Sequence, residues 1–323
     1  MAAVNQDFIS SKDELGLYLN RIGYPKSKEL LPNLETLSQV LDCHLKAIPI
    51  GALSLNYYEK LAEPLARPVN ILDPYSSKGV SLHYNDIFNR LVHQSREGLC
   101  FEQCILMRRM LEMIGFQVFI AGSHIFDPAA LGDGREILLD LTHSVLVVTI
   151  NSHQFLMDPG FAHFSTPSPV PLDGTPVASE GCLHHRVMPY VYLDPGHPNT
   201  GPTNTEYRLE VQHGTNPWRP TISFSMVPIY QQDLEVLNFY IIHCPAKFFH
   251  RHITLTKFIK DGYMLLVDDL LILRVNGVKT SSIPLLTEAE RKDAFKKYFN
   301  VSITAQEHLP SEYGSMNAII DNI

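Results

Sequence analysis

The sequence predicts an α+β fold, because helical and strand-like patterns occupy successive parts of the chain. In the first third, Leu34, Leu37, Leu41 and Leu45 recur at the spacing of one helix face. From residue 117 onwards, short apolar runs typical of strands replace that pattern. The section from 229 to 323 mixes both patterns, so helices and strands are expected there together.

The helix that follows Gly98 is the clearest single element. Gly98 interrupts the preceding pattern, and Gly115 is the predicted C-cap. The residues of its apolar face are Phe101, Cys104, Met107, Leu111 and Ile114. We therefore expect Cys100 to lie at or just inside the N-terminus of a helix.

The remaining elements follow from alternation and turn residues. Strands are predicted at 117–121, 137–141, 144–150, 155–158, 208–212 and 221–227, with a hairpin joining 263–267 to 270–275. Thr287 and Glu290 have capping-box spacing, which predicts a helix running towards Phe299. The stretch 164–205 is rich in Pro, Gly, Ser and His, and we interpret it as a long connection or insertion.

Length and charge narrow the classes of function. The chain has 323 residues, which favours two or three subdomains. Its formal net charge is -8, from 26 Lys and Arg against 34 Asp and Glu, which argues against a nucleic-acid partner. The longest apolar runs are too short to span a bilayer, so no membrane association is expected.

The cysteine pattern indicates a reducing compartment. There are five cysteines at wide spacings, Cys43, Cys100, Cys104, Cys182 and Cys244. The N-terminus has neither the basic start nor the apolar stretch of a signal peptide. We therefore predict free thiols and a cytoplasmic protein.

Cys100 is the candidate nucleophile. Most free cysteines are small buried hydrophobic residues, and packing is the expected role of Cys104, one turn later. At a loop-to-helix junction, however, exposed N–H groups and the helix dipole favour a thiolate. The same N–H groups could bind the oxyanion of a tetrahedral intermediate.

His143 and Asp158 are the candidate base and orienting carboxylate. His143 opens one apolar strand and Asp158 ends the next. A turn at 150–152 would place the two nearly opposite each other in a hairpin. A turn role for Asp158, before Pro-Gly, is the alternative.

The sequence contains no clear motif for a metal site or for a permanently bound cofactor. His184 and His185, and His250 and His252, are close in sequence but lack flanking ligands, so surface histidines are the simpler interpretation. No GxGxxG or phosphate-binding glycine loop is present. We predict no metal and no permanently bound cofactor.

These motifs resemble the arylamine N-acetyltransferase family. The resemblance rests on Arg96 to Glu102 around the cysteine, on Thr142 and His143, and on Asp158 to Phe161, in this order along most of the chain. The segments 18–22 and 233–240 and the C-terminal helix are similar too. Length and the 164–205 stretch resemble a eukaryotic member, such as a fungal one, more than a bacterial one.

The resemblance implies a fold with a cysteine-protease-like Cys-His-Asp triad. It comprises a helical bundle at 1–115 that carries Cys100, a β-barrel at 116–228 that carries His143 and Asp158, and an α/β lid at 229–323. It also implies ping-pong transfer of an acetyl or other short acyl group from acyl-CoA, through Cys100, to an arylamine or arylhydrazine.

The resemblance implies roles for three further residues. Phe161 corresponds to a position that lines the acceptor pocket, and Gly160 belongs to the same motif. Arg96 matches the arginine of the cysteine motif, for which anchoring the loop is at least as plausible as contacting substrate. Acetyl-CoA, malonyl-CoA and propionyl-CoA are the expected cosubstrates, and we expect a monomer or a weak homo-oligomer.

Three departures from the family pattern leave alternatives open. Glu97 stands where the family has Gly, Cys104 where it has Asn, and 48–53 replaces a Pro-Phe-Glu-Asn-Leu pattern. A thiol hydrolase or transglutaminase-like enzyme would use the same three residue types. A non-catalytic homologue with a vestigial triad is the other alternative.

Overall fold

The computed structural model describes residues 11–59, 80–179, 183–191, 206–244, 248–304 and 307–308. Cys182 and the part of the predicted connection at 192–205 lie outside this range. The same holds for the N-terminal residues on which the signal-peptide argument was based.

The N-terminal part is helical, with one long helix at its centre. Its elements are α1 (Ser11–Arg21), α2 (Leu34–Ala47), β1 (Ile50–Gly51), α3 (Leu53–Asn56), β2 (Tyr58–Glu59), α4 (Tyr84–Phe88), a π-helical turn (Asn89–His93) and α5 (Cys100–Ile114). The predicted start of α5 at Cys100 is confirmed. Gly115 adopts φ +108° after the last turn, so the predicted C-cap is confirmed too.

A curved eight-stranded sheet follows α5. It contains β3 (Gln117–Phe126), β4 (Leu138–Ile150), β5 (His153–Met157), β6 (Val170–Pro171), β7 (Val177–Ser179), β8 (Leu183–Tyr190), β9 (Glu206–His213) and β10 (Arg219–Pro228), with α6 (Pro128–Gly132) before β4. The strand order is β6-β5-β4-β3-β10-β9-β8-β7. Val170 of β6 and Val187 of β8 belong to one buried cluster with Val145 of β4. The sheet therefore nearly closes into a barrel.

The interpretation of 164–205 as a connection is wrong for part of its length. Leu183–Tyr190 forms a regular strand, paired with β9 from Leu183↔His213 to Tyr190↔Glu206. His185 and Val187 point into the protein along this strand. His185, a polar residue on the inward face, and Pro189 within the run concealed the strand pattern, and tertiary pairing with β9 overrides the weak local preference.

The C-terminal part builds a second sheet. Its elements are α7 (Gln231–His243), α8 (Phe248–Arg251), β11 (Thr254–Ile259), β12 (Gly262–Val267), β13 (Leu270–Val275), β14 (Val278–Pro284), α9 (Glu288–Ala294) with a π-helical turn (Phe295–Phe299), and β15 (Glu307–His308). The predicted hairpin is confirmed, with Val267 paired to Leu270. The predicted capping box is also present, since Glu290 N donates to Thr287 Oγ1 and Thr287 N donates to Glu290 Oε2.

Segment 48–53 connects the loop before Cys100 to this second sheet. β1 pairs with β11 on one side, Ile50 opposite Thr256. On its other side, Gly51 N donates to Gly98 O at 3.1 Å. A side chain at Gly51 would overlap the carbonyl oxygen of Thr254, so glycine permits this close approach. The loop before Cys100 is thus fixed by residues distant in sequence.

Buried histidines make the stability of the fold depend on pH. Burial lowers the pKa of His44 to about 4, from an ordinary value of 6.5. Burial does the same to His185 in the barrel. The folded state therefore favours the neutral imidazoles. Their contribution to the free energy of unfolding is complete above pH 6.5 and is lost as the pH falls towards 4.

We expect unfolding free energy to fall by several kcal/mol between pH 7 and pH 4, at about 1.4 kcal/mol per pKa unit for each histidine. Urea unfolding at several pH values measures it. His44→Gln should flatten this dependence, whereas His153→Gln, at an exposed histidine, should leave it unchanged. An unchanged dependence in His44→Gln would contradict the assignment.

Among the described residues, no helix is both long enough and apolar enough to span a membrane. Helical bundle, barrel-like sheet and C-terminal sheet follow each other in the order expected from the sequence. The boundaries after 115 and after 228 stay predictions, and β1 shows that the first part contributes a strand to the C-terminal sheet.

Candidate active site

Cys100 is the first residue of α5 and lies at one end of the barrel. The residue is 7% exposed, and its Sγ lies 3.9 Å from the Thr142 carbonyl oxygen of β4. Backbone N–H groups in the first turn of a helix have no intrahelical acceptor. Cys100 therefore combines the helix N-terminus with a direct approach to β4.

The β4–β5 hairpin exists, but its register differs from the predicted one. Ile150 pairs with His153, so the turn is the two-residue Asn151-Ser152 rather than 150–152. Both turn residues have positive φ, +48° and +67°, as a two-residue hairpin turn requires. The hairpin brings His143 and Asp158 together as predicted, but the two are not directly opposite each other. Extending the observed register places Asp158 opposite Val145.

An offset of two residues keeps both side chains on one face of the sheet, because side chains alternate with a period of two. A β-bulge adds to this arrangement. Ser123 pairs with His143 and His124 with Leu141, so Thr142 is the extra residue immediately before the histidine. Such bulges redirect neighbouring side chains, here at the strand position next to Cys100.

His143 and Asp158 form a buried pair. His143 Nε2 lies 2.8 Å from Asp158 Oδ2, and both side chains are almost fully enclosed. Burial lowers the pKa of His143, but the charge and hydrogen bond of Asp158, with a contribution from Cys100, raise it to about 10. Since Nε2 faces Asp158, Nδ1 is the ring nitrogen left for the thiol. His143 is therefore held as an imidazolium at neutral pH.

Asp158 is fixed by backbone and hydroxyl contacts. Its Oδ1 accepts from Gly160 N at 3.1 Å, and its own N–H donates to Thr166 Oγ1 at 3.1 Å. Both carboxylate oxygens thus accept hydrogen bonds, one from the imidazole and one from the backbone. The carboxylate contacts His143 and also shapes the turn that follows. Asp158 therefore combines the contact expected of an orienting carboxylate with the turn role that the sequence offered as the alternative.

Gly160 packs directly against Cys100. A Cβ atom at position 160 would lie 2.5 Å from Cys100 Cα and 2.9 Å from Cys100 Cβ, closer than carbon atoms can approach. Only glycine allows this approach. Gly160 therefore brings the Asp158 turn against Cys100, and its contact is with the backbone and Cβ of that cysteine.

Phe161 covers the imidazole. Its ring centroid lies 4.8 Å from that of His143 and 5.3 Å from that of Phe164. Its N–H donates to Ser165 Oγ at 2.8 Å, which fixes the backbone. The ring excludes water from one side of His143 and borders the space beyond it.

Arg96 is held by ion pairs. Its Nε donates to Glu97 Oε2 at 3.1 Å and its Nη1 to Glu307 Oε1 at 2.6 Å. The guanidinium is mostly buried, 8% exposed for the residue. These contacts favour the anchoring role over the substrate-binding role, both of which the sequence left open.

Glu97 points away from Cys100. Its Oε1 accepts from Ser54 N at 2.9 Å and from Ser54 Oγ at 2.8 Å. Burial raises the pKa of Glu97, but the charges of Arg96 and Arg90 outweigh burial and lower it below the ordinary value. The carboxylate is thus neutralised within the loop and places no negative charge beside the thiol.

We expect Glu97→Gln to lower the free energy of unfolding by about 3 kcal/mol, because it breaks a buried ion pair and leaves Arg96 less well paired. The fraction that folds should retain a Cys100 that reacts normally with iodoacetamide. Urea unfolding and alkylation rates measure the two effects. Glu29→Gln, at an exposed glutamate, is the control; equal stability of the two variants would contradict the assignment.

Cys104 has a packing role, as expected. Its side chain is fully buried, and Sγ donates to the Ser144 carbonyl oxygen at 3.3 Å. Burial raises its pKa well above the ordinary thiol value. Cys104 is therefore an unreactive thiol within the core.

Glu102 is a site-supporting residue that the sequence reasoning missed. Its Oε2 accepts from Leu99 N at 2.9 Å, and Arg90 pairs with its other oxygen. The available signal was a glutamate at the third helical position, the acidic half of a capping box. Leu99 cannot complete that motif with its side chain, so the pattern did not stand out.

A cavity of about 470 Å³ lies beyond Phe164, between the barrel and the C-terminal sheet. His163 stacks between Phe164 and Tyr263 at its wall, with centroid distances of 4.0 and 5.3 Å. Arg219 and Arg274 also line it. The ring series from His143 through Phe161 and Phe164 leads from the His143–Asp158 pair towards this space.

Within the residues that the structure covers, no group of three or more His, Cys, Asp or Glu side chains is close enough to hold a metal ion. His185 Nδ1 lies 3.0 Å from Ser179 Oγ, and His252 Nδ1 lies 2.7 Å from Asp268 Oδ2. These histidines therefore have contacts within the protein.

Solved structures share this architecture. The arylamine N-acetyltransferase from Salmonella typhimurium matches 90% of this chain and 92% of its own, with a TM-score of 0.72 and 20% identity. The Mycobacterium marinum enzyme in complex with CoA matches 89% and 92%, with a TM-score of 0.69 and 20% identity. The fold, a mixed α/β structure with a nearly closed barrel-like sheet, is that of the arylamine N-acetyltransferases.

Sequence comparison then shows the family. A family model described as N-acetyltransferase matches residues 33–308. Human arylamine N-acetyltransferase 1 is 24% identical over 93% of this chain and 98% of its own length, and Macaca mulatta arylamine N-acetyltransferase 2 is 25% identical over 90% and 94%. The chain belongs to the arylamine N-acetyltransferase family and is an acyltransferase enzyme. The predicted family is confirmed, and a fungal origin stays a prediction.

Proposed function

We propose that the protein transfers an acetyl or other short acyl group from acyl-CoA to an arylamine or arylhydrazine through a thioester on Cys100. The observation that carries this proposal is the buried His143–Asp158 pair beside a cysteine at a helix N-terminus. The names of the relatives supply the substrate class, and the bound CoA of the M. marinum enzyme supports the donor. Acetyl-CoA acts as a cosubstrate, with malonyl-CoA and propionyl-CoA as further candidates.

In the first half-reaction, the Cys100 thiolate attacks the thioester carbonyl carbon of acyl-CoA. The carbonyl oxygen becomes an oxyanion, which N–H groups at the start of α5 would stabilise. Collapse breaks the bond between carbon and the CoA sulfur. The His143 imidazolium protonates the leaving CoA thiolate and becomes neutral.

In the second half-reaction, the nitrogen of the acceptor attacks the Cys100 thioester. Neutral His143 accepts the proton that the nitrogen loses. The carbon–sulfur bond to Cys100 then breaks, which releases the amide and restores the thiolate beside the imidazolium. Asp158 holds His143 in position and stabilises its positive charge in both half-reactions.

The cavity beyond Phe164 is the proposed place for the non-reacting parts of the substrates. Arg219 and Arg274 would favour negative charge there, as on CoA, and the rings of Phe161 and Phe164 would pack against an aromatic acceptor. Free thiols at Cys43, Cys100, Cys104 and Cys244 support the proposal of a cytoplasmic enzyme. A monomer or weak homo-oligomer remains the expectation.

Steady-state kinetics with two varied substrates test this function. Acetyl-CoA and one arylamine should give parallel double-reciprocal plots, as a ping-pong mechanism requires. Intersecting plots would contradict the thioester route. Acyl transfer to a peptide amine or hydrolysis of a peptide, without transfer to any arylamine or arylhydrazine, would favour the thiol hydrolase or transglutaminase-like alternative.

The non-catalytic alternative loses part of its motivation. It rested on the departures at Glu97 and Cys104, yet Glu97 is turned towards Ser54 and Cys104 is buried in the core. Alkylation of Cys100 by iodoacetamide near neutral pH distinguishes an active acyltransferase from a non-catalytic homologue. An unreactive Cys100 would favour the vestigial site.

A further inference from the structure

Gln103 lies one turn after Cys100 and is fully buried. Its Nε2 donates to Pro49 O at 3.0 Å and to Gly98 O at 3.3 Å. Its Oε1 lies 2.8 Å from His44 Nε2. The side-chain amide therefore uses both of its hydrogens and its oxygen within the protein.

The direction of each hydrogen bond follows from chemistry. The carbonyl oxygens of Pro49 and Gly98 only accept, so the amide nitrogen of Gln103 must face them. Its oxygen then faces His44, which must donate from a protonated Nε2. A neutral imidazole leaves Nδ1 as an acceptor, and the Tyr18 hydroxyl, 2.9 Å away, donates to it. A continuous series of hydrogen bonds, each with a fixed direction, thus runs from Tyr18 in α1 through His44 in α2 and Gln103 in α5 to the loop before Cys100.

The two carbonyls that Gln103 contacts already join the loop to β1. Gly98 N donates to Pro49 O at 3.2 Å, and Gly51 N donates to Gly98 O at 3.1 Å. Gln103 gives each of these oxygens a second hydrogen bond from inside α5. Gly98, two residues before the nucleophile, is thereby tied to the helix that the nucleophile begins.

We infer that Gln103 is a positioning residue for acyl transfer: by fixing the Gly98 peptide against α5, it holds the Cys100 N–H where the oxyanion forms. This inference rests on the proposed function. Oxyanion donors act by being oriented in advance, so a small displacement weakens them. Thiolate formation depends instead on His143 and Asp158, which approach Cys100 from β4 and from the turn after β5.

Two reactions of the same sulfur separate these effects. Alkylation by iodoacetamide needs the thiolate but forms no oxyanion, whereas acylation by acetyl-CoA needs both. In Gln103→Met, which keeps much of the volume but has no amide, we expect the acylation rate constant to fall about 10-fold to 100-fold, somewhat less than for the direct loss of one donor. The alkylation rate and its pH profile should stay within about threefold of the wild type.

Gln39→Met is the matched control, because Gln39 is a partly exposed glutamine on α2 that contacts Cys43 and Lys28. Both of its rates should equal those of the wild type. Tyr18→Phe is the second test, since it removes only the hydroxyl that orients His44. If Gln103→Met does not fold, the result for Tyr18→Phe decides the question. Its acylation should slow by a smaller factor, again without a change in alkylation.

Equal losses in acylation and alkylation would overturn the inference and make Gln103 a packing residue. Unchanged acylation in the folded variants would overturn it too. Failure of the proposed function has a different signature, because the wild type itself would then form no acyl-Cys100.

Discussion

Asp158→Asn is expected to lower kcat/KM for acyl transfer by about 10⁴-fold, the size of the loss in kcat when a triad aspartate becomes asparagine. Both oxygens of Asp158 accept hydrogen bonds, from His143 and from Gly160 N, and an amide can satisfy only one of them. Without the carboxylate charge, burial lowers the pKa of His143. The imidazolium and its paired thiolate are then lost at neutral pH.

The matched control for this change is Asp173→Asn. Asp173 also accepts from the N–H two residues later, at 2.9 Å from Thr175, but it lies in an exposed turn away from Cys100. Acyl transfer, measured by two-substrate kinetics, and alkylation of Cys100 by iodoacetamide at pH 7 should both be slower in Asp158→Asn. Asp173→Asn should leave both rates at the wild-type values. Comparable activity of the two variants would remove Asp158 from the mechanism.

Gly160→Ala is expected to lower kcat/KM by at least about 10²-fold, since displacements of about 1 Å at a reacting group cost this much. The new methyl group would overlap Cys100 Cα, so either the Asp158 turn or the start of α5 must move. Either movement separates the thiol from His143. The effect should appear in acylation and alkylation alike, unlike that of Gln103→Met.

Gly16→Ala serves as the control for that substitution. Gly16 lies in α1, and a Cβ atom there would meet no other atom within 4 Å. Alanine also favours the helix by about 0.5–1 kcal/mol, so this variant should be active and slightly more stable. Full activity of Gly160→Ala would show that the close approach to Cys100 is unnecessary.

Local sequence signals predicted the elements whose causes are local. The start of α5 at Cys100, its end at Gly115 and the capping box of α9 depend on residues within a few positions of one another. The β4–β5 hairpin was found for the same reason. Its register was misjudged because the turn type depends on backbone angles at Asn151 and Ser152, which the sequence does not show directly.

The parts that could not be predicted depend on distant partners. Glu97 is turned away from the thiol because Ser54, 43 positions earlier, donates both its N–H and its hydroxyl to the carboxylate. Arg96 is anchored by Glu307, 211 positions later. Strand β8 forms because β9 pairs with it along its whole length. No local pattern encodes these contacts.

The central claim is that Cys100 carries the acyl group. The most direct measurement is peptide mass spectrometry of the wild-type protein after mixing with acetyl-CoA alone and again after adding an arylamine. The account predicts one acetyl group on the peptide that contains Cys100, and its loss when the amine is added. Acetylated arylamine produced while Cys100 stays unmodified, or produced at the wild-type rate by Cys100→Ala, would contradict it.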